Sequence, residues 1–320
     1  MRHARPRTQC PRVAVGILGR VANPLLLLPD FLLIGLGFLL CRFTALDRRV
    51  WDAAERLVYF LLFPVLLFGA ILKSPLDPAR ALELGAAGVG MLAVGSAVAL
   101  AVGHWPGIDK RLHASGAQVA YRFNSYIALA LAERLHGAQG LAWMALLMAL
   151  SIPICNVAAV WPLARHGGQS YGREIARNPL IISTVLGLAG NLAGLTLPEP
   201  VTTTLQRIGV AALPIGLMAV GAGLTLGGLK AAPGLATSLL VIRHALLPAV
   251  AIGLALALAL PPEQRSIVVL FGAMPTAASA YVLAARMGGD GSFVAGLVTV
   301  STVLGMVSIP LWLAMLRLVS

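Results

Sequence analysis

Ten apolar runs, separated by short polar or Pro/Gly-bearing connections, leave this 320-residue chain few ways to fold. They lie at about 21–41, 56–73, 82–103, 114–133, 140–163, 178–197, 206–228, 234–260, 266–286 and 292–317. A membrane-spanning helix needs about 20 mostly apolar residues, whereas a membrane β-barrel would show short segments of alternating hydrophobicity. The expected fold class is therefore an all-α polytopic membrane protein with ten transmembrane helices. With 58% of residues hydrophobic and 11% charged, a soluble domain is excluded.

The formal charge of +12 does not point to nucleic acid, because Lys and Arg stand in ones and threes between apolar runs and form no basic stripe. They read as topology signals. Lys and Arg favour cytoplasmic loops. The connections after runs one, three, five, seven and nine carry Arg42, Arg48, Arg49, Lys110, Arg111, Arg165, Arg173, Arg177, Lys230 and Arg286. The remaining connections and the C-terminal end carry only Lys73, Arg80, Arg134, Arg207, Arg265 and Arg317, which places both termini outside. The arginine-rich first twenty residues are expected to be a disordered tail. The run after them is too long for a cleaved signal sequence and serves as the first span.

Cys10, Cys41 and Cys155 are isolated and carry no disulfide or metal-ligand spacing. The motifs HExxH, GxSxG and Walker A are absent, so neither an enzyme nor a cofactor or metal is expected.

Matching motifs recur along the chain. Asn23-Pro24-Leu25 and Asn178-Pro179-Leu180 are separated by 178 − 23 = 155 residues, and Pro64 and Pro214 by 214 − 64 = 150. The same offset of 150 sets Asn124-Ser125 of run four against Met274-Pro275 of run nine. Two repeats of five spans follow, and an odd number of spans inverts the second repeat relative to the first. The expected organisation is a tail over 1–20, a first repeat over 21–163, a cytoplasmic linker over 164–177 and a second repeat over 178–320. Inverted-repeat transporters keep their solute sites near the midplane, where a matched pair of helices is interrupted.

Run four contains such an interruption, Gln118-Val119-Ala120-Tyr121-Arg122-Phe123-Asn124-Ser125-Tyr126. A charge at bilayer depth costs about 2.5–3.5 kcal/mol on insertion scales, so Arg122 must face protein or a wet cavity. Gln118, Arg122 and Ser125 share one face of a straight helix. Unwinding near Phe123 would turn freed backbone groups and the Asn124 amide toward a cavity. The plainer alternative is that these polar groups join neighbouring helices. In run nine, Pro275 of Met274-Pro275-Thr276 removes a helical hydrogen bond, and Ser279 follows. The helix beginning after that break carries a partial positive charge suited to an anion. Pro64 and Pro214 are expected to break runs two and seven and to shape a scaffold. Arg243 and His244, taken as lying nearer the end of run eight, are expected to snorkel. No acidic pair marks the centres of runs four, five or nine, which weighs against the alternative of a sodium or proton antiporter.

Several segments together resemble the auxin efflux carrier family of membrane transporters. They are Arg122-Phe123-Asn124-Ser125-Tyr126-Ile127, Arg177-Asn178-Pro179-Leu180-Ile181-Ile182, Leu213-Pro214-Ile215-Gly216-Leu217 with Gly221-Ala222-Gly223-Leu224, and Met274 through Ala284. The resemblance runs from about Pro29 to the C-terminus. It implies ten helices in two inverted repeats with broken, crossing fourth and ninth helices. It also implies a scaffold of helices one, two, six and seven that mediates homodimerisation, and a transport domain that moves like an elevator. The family's carboxylate-contacting asparagine falls on Asn124. The short connection between runs five and six matches bacterial members, often described as organic-acid permeases, and so implies the bacterial inner membrane. The site expected is Gln118, Arg122, Asn124, Ser125, Pro275, Thr276 and Ser279. Its substrate would be a small mono- or dicarboxylate, with H+ or Na+ as the coupling ion.

Overall fold

The structure, a computed structural model, describes residues 24–73, 78–163, 177–225, 229–277, 279–286 and 288–319. The basic tail of residues 1–20 and residues 164–176 of the expected linker lie outside the described residues. Among the described residues every regular element is helical. They are α1 (Pro24–Phe43), α2 (Arg48–Lys73), α3 (Pro78–Val102), α4 (Lys110–Gly116), α5 (Ser125–Leu163) and α6 (Pro179–Leu192). The chain continues with α7 (Glu199–Ala222), α8 (Pro233–Ala257), α9 (Pro262–Ala273), α10 (Ser279–Arg286) and α11 (Gly291–Val319).

Short polar side chains start several helices by accepting from their free N–H groups. Asp47 accepts from Arg49 and Val50 to start α2, Asp109 from Arg111 and Leu112 to start α4, and Asn178 from Leu180 and Ile181 to start α6. Proline accompanies the distortions inside α2, α7 and α8. A wide π turn at Val58–Leu62 precedes Pro64 in α2, and another at Ile242–Leu246 precedes Pro248 in α8. The wider turn accommodates a ring that would clash with the carbonyl four residues back. In α7 the disturbance before Pro214 is a turn at Ala211. Pro64 and Pro214 thus deform their helices locally, within segments that remain long enough to span.

Six described helical segments are long and apolar enough to cross a membrane: Arg48–Lys73, Arg80–Val102, Lys110–Cys155, Glu199–Ala222, Pro233–Ala257 and Gly291–Val319. The difference from ten apolar runs has identifiable causes. Runs four and five follow each other without a gap in α5, which bends where His136 and Gly137 leave helical geometry, Gly137 with φ 58°. Run one, which forms α1 (Pro24–Phe43), is not among the six, and run six gives the 14-residue α6, too short to qualify. Run nine is divided between α9 and α10.

Glycine governs the closest packing. A Cβ on Gly37 would strike the Met218 carbonyl, and one on Gly221 would strike the Ile34 carbonyl, so α1 and α7 pack backbone against backbone. Helix α6 lies on the end of α2 through Gly187 and Gly190, where Asn191 Nδ2 donates to the carbonyls of Ile71 (2.9 Å) and Leu72 (3.1 Å). Elsewhere α3 packs on α5 and α8 by admitting Leu147 at Gly88 and Leu247 at Gly95, and α4 admits Phe293 of α11 at Gly116. Contacts between α1, α2, α6 and α7 on one side and the remaining helices on the other use side chains. Tyr126 of α5 sits on Gly216 of α7 and against the Phe63 ring, with ring centroids 5.0 Å apart. Arg134 donates to both carboxylate oxygens of the buried Asp30 at 2.9 and 3.0 Å, joining α5 to α1.

Candidate functional site

The polar stretch of run four interrupts its helix. After α4 a 3-10 turn covers Ala117–Ala120, Tyr121 to Asn124 are non-helical, and α5 begins at Ser125. In run nine α9 ends at Ala273, and Met274 to Ala277 are non-helical before α10. The two interruptions meet. Asn124 N donates to the Pro275 carbonyl at 2.9 Å, and the rings of Phe123 and Phe271 pack edge to face beside that bond at 4.6 Å. Met274, Pro275 and Thr276 are buried.

Asn124 has two roles in this junction. Its Oδ1 accepts from the N–H groups of Tyr126 (3.0 Å) and Ile127 (3.2 Å), capping the start of α5. Its Nδ2 is buried without a hydrogen-bond partner among the described residues. Thr276 matches it on the other strand of the junction, since its N–H donates to Ser301 Oγ at 3.0 Å while its buried hydroxyl has no partner among the described residues. Unpaired buried polar atoms are rare in folded proteins, and those at a break in a membrane helix are candidates for ligand contacts.

The other expected residues are positioned as follows. Gln118 is buried and ties α4 to α10, donating from Nε2 to the carbonyls of Ser115 (3.1 Å) and Ala280 (3.2 Å). Arg122 is half-buried and donates to Gln118 Oε1 at 3.3 Å and Ser279 Oγ at 3.5 Å. Ser279, at the start of α10, is exposed, while Ser125 is half-buried in the first turn of α5. Asn124, Pro275 and Thr276 therefore form the buried centre. Gln118, Arg122 and Ser279 form a connected polar edge beside it. Pro64 and Pro214 lie in α2 and α7, away from both breaks in sequence, with the helix distortions already described.

Arg243 overturns one expectation. Instead of snorkelling it is fully buried, and its Nε and Nη2 donate to the carbonyls of Met274 and Phe271, the latter at 3.3 Å. Phe271 lies four residues before Pro275, which has no N–H to offer it, and its carbonyl accepts instead from Met274 N at 3.4 Å and from Arg243 Nη2. His244 is buried as well, with Nε2 2.8 Å from Ser301 Oγ and Nδ1 2.9 Å from Ser308 Oγ. The Trp312 indole donates to its carbonyl at 2.7 Å. Through Ser301 the imidazole reaches the Thr276 N–H. The signal was present in the sequence, because Arg243 stands nine residues past the start of run eight at 234, too deep to reach an interface easily.

A family described as "Membrane transport protein" matches residues 118–313, beginning at the first residue of the polar stretch and taking in both breaks. The chain belongs to this family. It is the auxin efflux carrier family that the motifs resemble. A similar bacterial protein, named "Putative malonate transporter" in Rhizobium meliloti (strain 1021), is 26% identical over 277 residues, or 82% of this chain and 86% of the relative. An "Uncharacterized transporter" from Methanothermobacter thermautotrophicus is 33% identical over 135 residues, covering 42% of this chain and 44% of that protein. As a transporter, the chain must take its solute through the bilayer along a protein-lined path, and both of the paired breaks lie within the matched region.

Proposed function

We propose that the chain is a secondary active transporter of a small organic anion, a mono- or dicarboxylate, held at the junction of the two breaks. The observation that carries this reading is the pair of buried groups able to donate there, Asn124 Nδ2 and the Thr276 hydroxyl, neither with a partner among the described residues. An amide nitrogen only donates, and a hydroxyl can donate, so together they suit an acceptor such as a carboxylate. The start of α5 adds the partial positive charge of a helix N-terminus. Arg122 contributes positive potential at the edge, and Ser125, Ser279 and Gln118 complete the polar surround. A cation site would call for carboxylates, and neither Gln118–Tyr126 nor Met274–Tyr281 contains one.

Transport in this reading follows an elevator form of alternating access within two inverted repeats of five spans. Helices α1, α2, α6 and α7 act as the scaffold and the dimer surface, and the helices bearing the breaks move against them. The packing supports that division. Backbone-tight glycine contacts lock α1 to α7, whereas Tyr126, Phe63 and the Asp30–Arg134 pair connect the two groups through side chains that can exchange partners. The setting proposed is the bacterial inner membrane with both termini outside, and H+ or Na+ supplies the driving force.

Reconstitution tests this directly. Proteoliposomes should take up radiolabelled malonate saturably, in competition with other short carboxylates, and an imposed pH or Na+ gradient that accelerates uptake identifies the coupling ion. Sodium or proton flux that proceeds without any carboxylate would favour the antiporter reading and overturn this one.

A further inference from the structure

Three consecutive residues of the second break each hold a different element. Met274 is held through its carbonyl by Arg243 of α8, Pro275 through its carbonyl by Asn124 N, and Thr276 through its N–H by Ser301 of α11. Extended backbone covers about 3.3–3.6 Å per residue, so these attachments lie within on the order of 7 Å of one another along the chain. Each attachment brings a buried polar atom without a partner among the described residues: Arg243 Nη1, Asn124 Nδ2 and Thr276 Oγ1. Arg243 differs from the other two in carrying a full charge. It forms no ion pair among the described residues, where the pairs are made by Arg48, Arg80 and Arg134. The ionisable groups that bear on it, Cys155 and His244, supply no anion. The Cys155 thiol donates to the Tyr121 carbonyl at 3.6 Å, and the imidazole lies between two serines.

A guanidinium remains charged in proteins, and a buried charge calls for a counter-charge. Two of its nitrogens are engaged by carbonyls, which stabilise it without neutralising it. From this we infer that Arg243 is the fixed cation of the substrate site, and that a carboxylate of the bound solute is its missing counter-ion, received by Nη1. The assignment rests on the reading of the junction as a carboxylate site. It moves the charge-recognition role from Arg122, which already donates to Gln118 and Ser279 at the half-buried edge, to a residue at the buried centre. Because the same guanidinium holds the Met274 and Phe271 carbonyls at the break, the shape of the break and the selection of an anion both involve one side chain. Neutral isosteres of the solute would leave that charge uncompensated and be rejected.

The test uses the full chain purified in detergent, with malonate as probe and malonamide as its uncharged counterpart. Wild type should bind malonate and discriminate strongly against malonamide. Arg243→Gln, checked for a monodisperse elution profile and helical circular dichroism, should lose malonate affinity by about 100-fold or more and lose the discrimination, as expected when one partner of a buried charge pair is removed. Retention of wild-type malonate affinity and discrimination in Arg243→Gln would overturn the assignment. Should that variant fail to fold, guanidinium nitrogen resonances of 15N-arginine-labelled wild type decide the matter, with Arg243 assigned from its absence in Arg243→Lys. Malonate must shift that resonance, and an unshifted signal in malonate-saturated protein refutes the contact. Loss of binding in Asn124→Asp with full binding in Arg243→Gln would keep the junction as the site while removing Arg243 from it. Failure of malonate, succinate and benzoate alike to bind wild type would bring down the site reading and this inference together.

Discussion

Replacing Asn124 by aspartate or by alanine separates the two roles this side chain performs. Its Oδ1 accepts two N–H groups at the start of α5, and its Nδ2 is the unpartnered donor. Alanine removes both. Loss of the cap alone should cost about 1–2 kcal/mol of stability, the upper part of the usual range because the bond from Ile127 is buried and that from Tyr126 partly so. Losing one hydrogen bond to a charged acceptor costs about 1.5–3 kcal/mol, which at about 1.4 kcal/mol per decade is roughly 10- to 150-fold in affinity. Alanine therefore acts on folding as well as on transport, since the side chain also holds a helix start. Aspartate retains the cap, being as good as asparagine at that position, and its charge favours the helix N-terminus. It also replaces the donor by a negatively charged oxygen facing the solute. Asn124→Asp should thus unfold within a few degrees of wild type yet transport no measurable malonate, whereas Asn124→Ala should be both less stable and slower. Thermal unfolding in detergent and uptake by proteoliposomes give the two readings. Malonate uptake by Asn124→Asp above about a tenth of the wild-type rate would refute the assignment of Nδ2 to the anion. An unfolding temperature for Asn124→Ala equal to that of wild type would refute the cap.

Other outcomes follow from the same geometry. Asp30→Asn deprives Arg134 of its carboxylate; because Arg134 keeps 35% side-chain exposure, the loss should be about 1–3 kcal/mol, below that of a fully buried pair, and Asp30→Asn/Arg134→Gln should recover part of it in a double-mutant cycle of unfolding. Gly221→Ala would drive a methyl group into the Ile34 backbone and should destabilise by about 1–3 kcal/mol or more. Gly253→Ala, where a Cβ meets nothing within 4 Å, should stabilise α8 by about 0.5–1 kcal/mol, so the two unfolding temperatures should move in opposite directions. Ser301→Ala removes the acceptor of the Thr276 N–H and a partner of His244, at about 1–3 kcal/mol for the groups left unpaired. It should slow malonate uptake more than it lowers the unfolding temperature, and uptake at the wild-type rate would show that the Thr276 backbone needs no such anchor.

Much of the architecture is a property of contiguous residues, and so was legible. The apolar runs required helices in a membrane, Pro275 required a break in run nine, and the polar stretch from Gln118 required one in run four. Both breaks are present, and Asn124 stands at the first. Helix starts such as Asp109 and Asn178 are equally local. Less legible was how the spans are joined, because runs four and five meet at the non-helical His136 and Gly137 with no intervening loop, and helix ends within run nine. Arg243 and His244 were misjudged for a related reason. Depth along one run does not reveal which neighbouring helix will cover a side chain, and the carbonyls that Arg243 holds come from residues 28 and 31 positions away.

By itself the sequence determined that the chain is helical and membrane-embedded, where its two interrupted helices lie, and which family its motifs match. These follow from hydrophobicity, proline chemistry and capping, all of which act over a few residues. Only the tertiary structure decided that the two interruptions touch through Asn124 and Pro275, that Asn124 caps a helix while its Nδ2 has no partner among the described residues, and that Arg243 is buried against the second break. Each of those depends on packing between distant segments. In an interior with no water to satisfy them, polar groups are settled by whichever partners the fold brings within hydrogen-bonding distance.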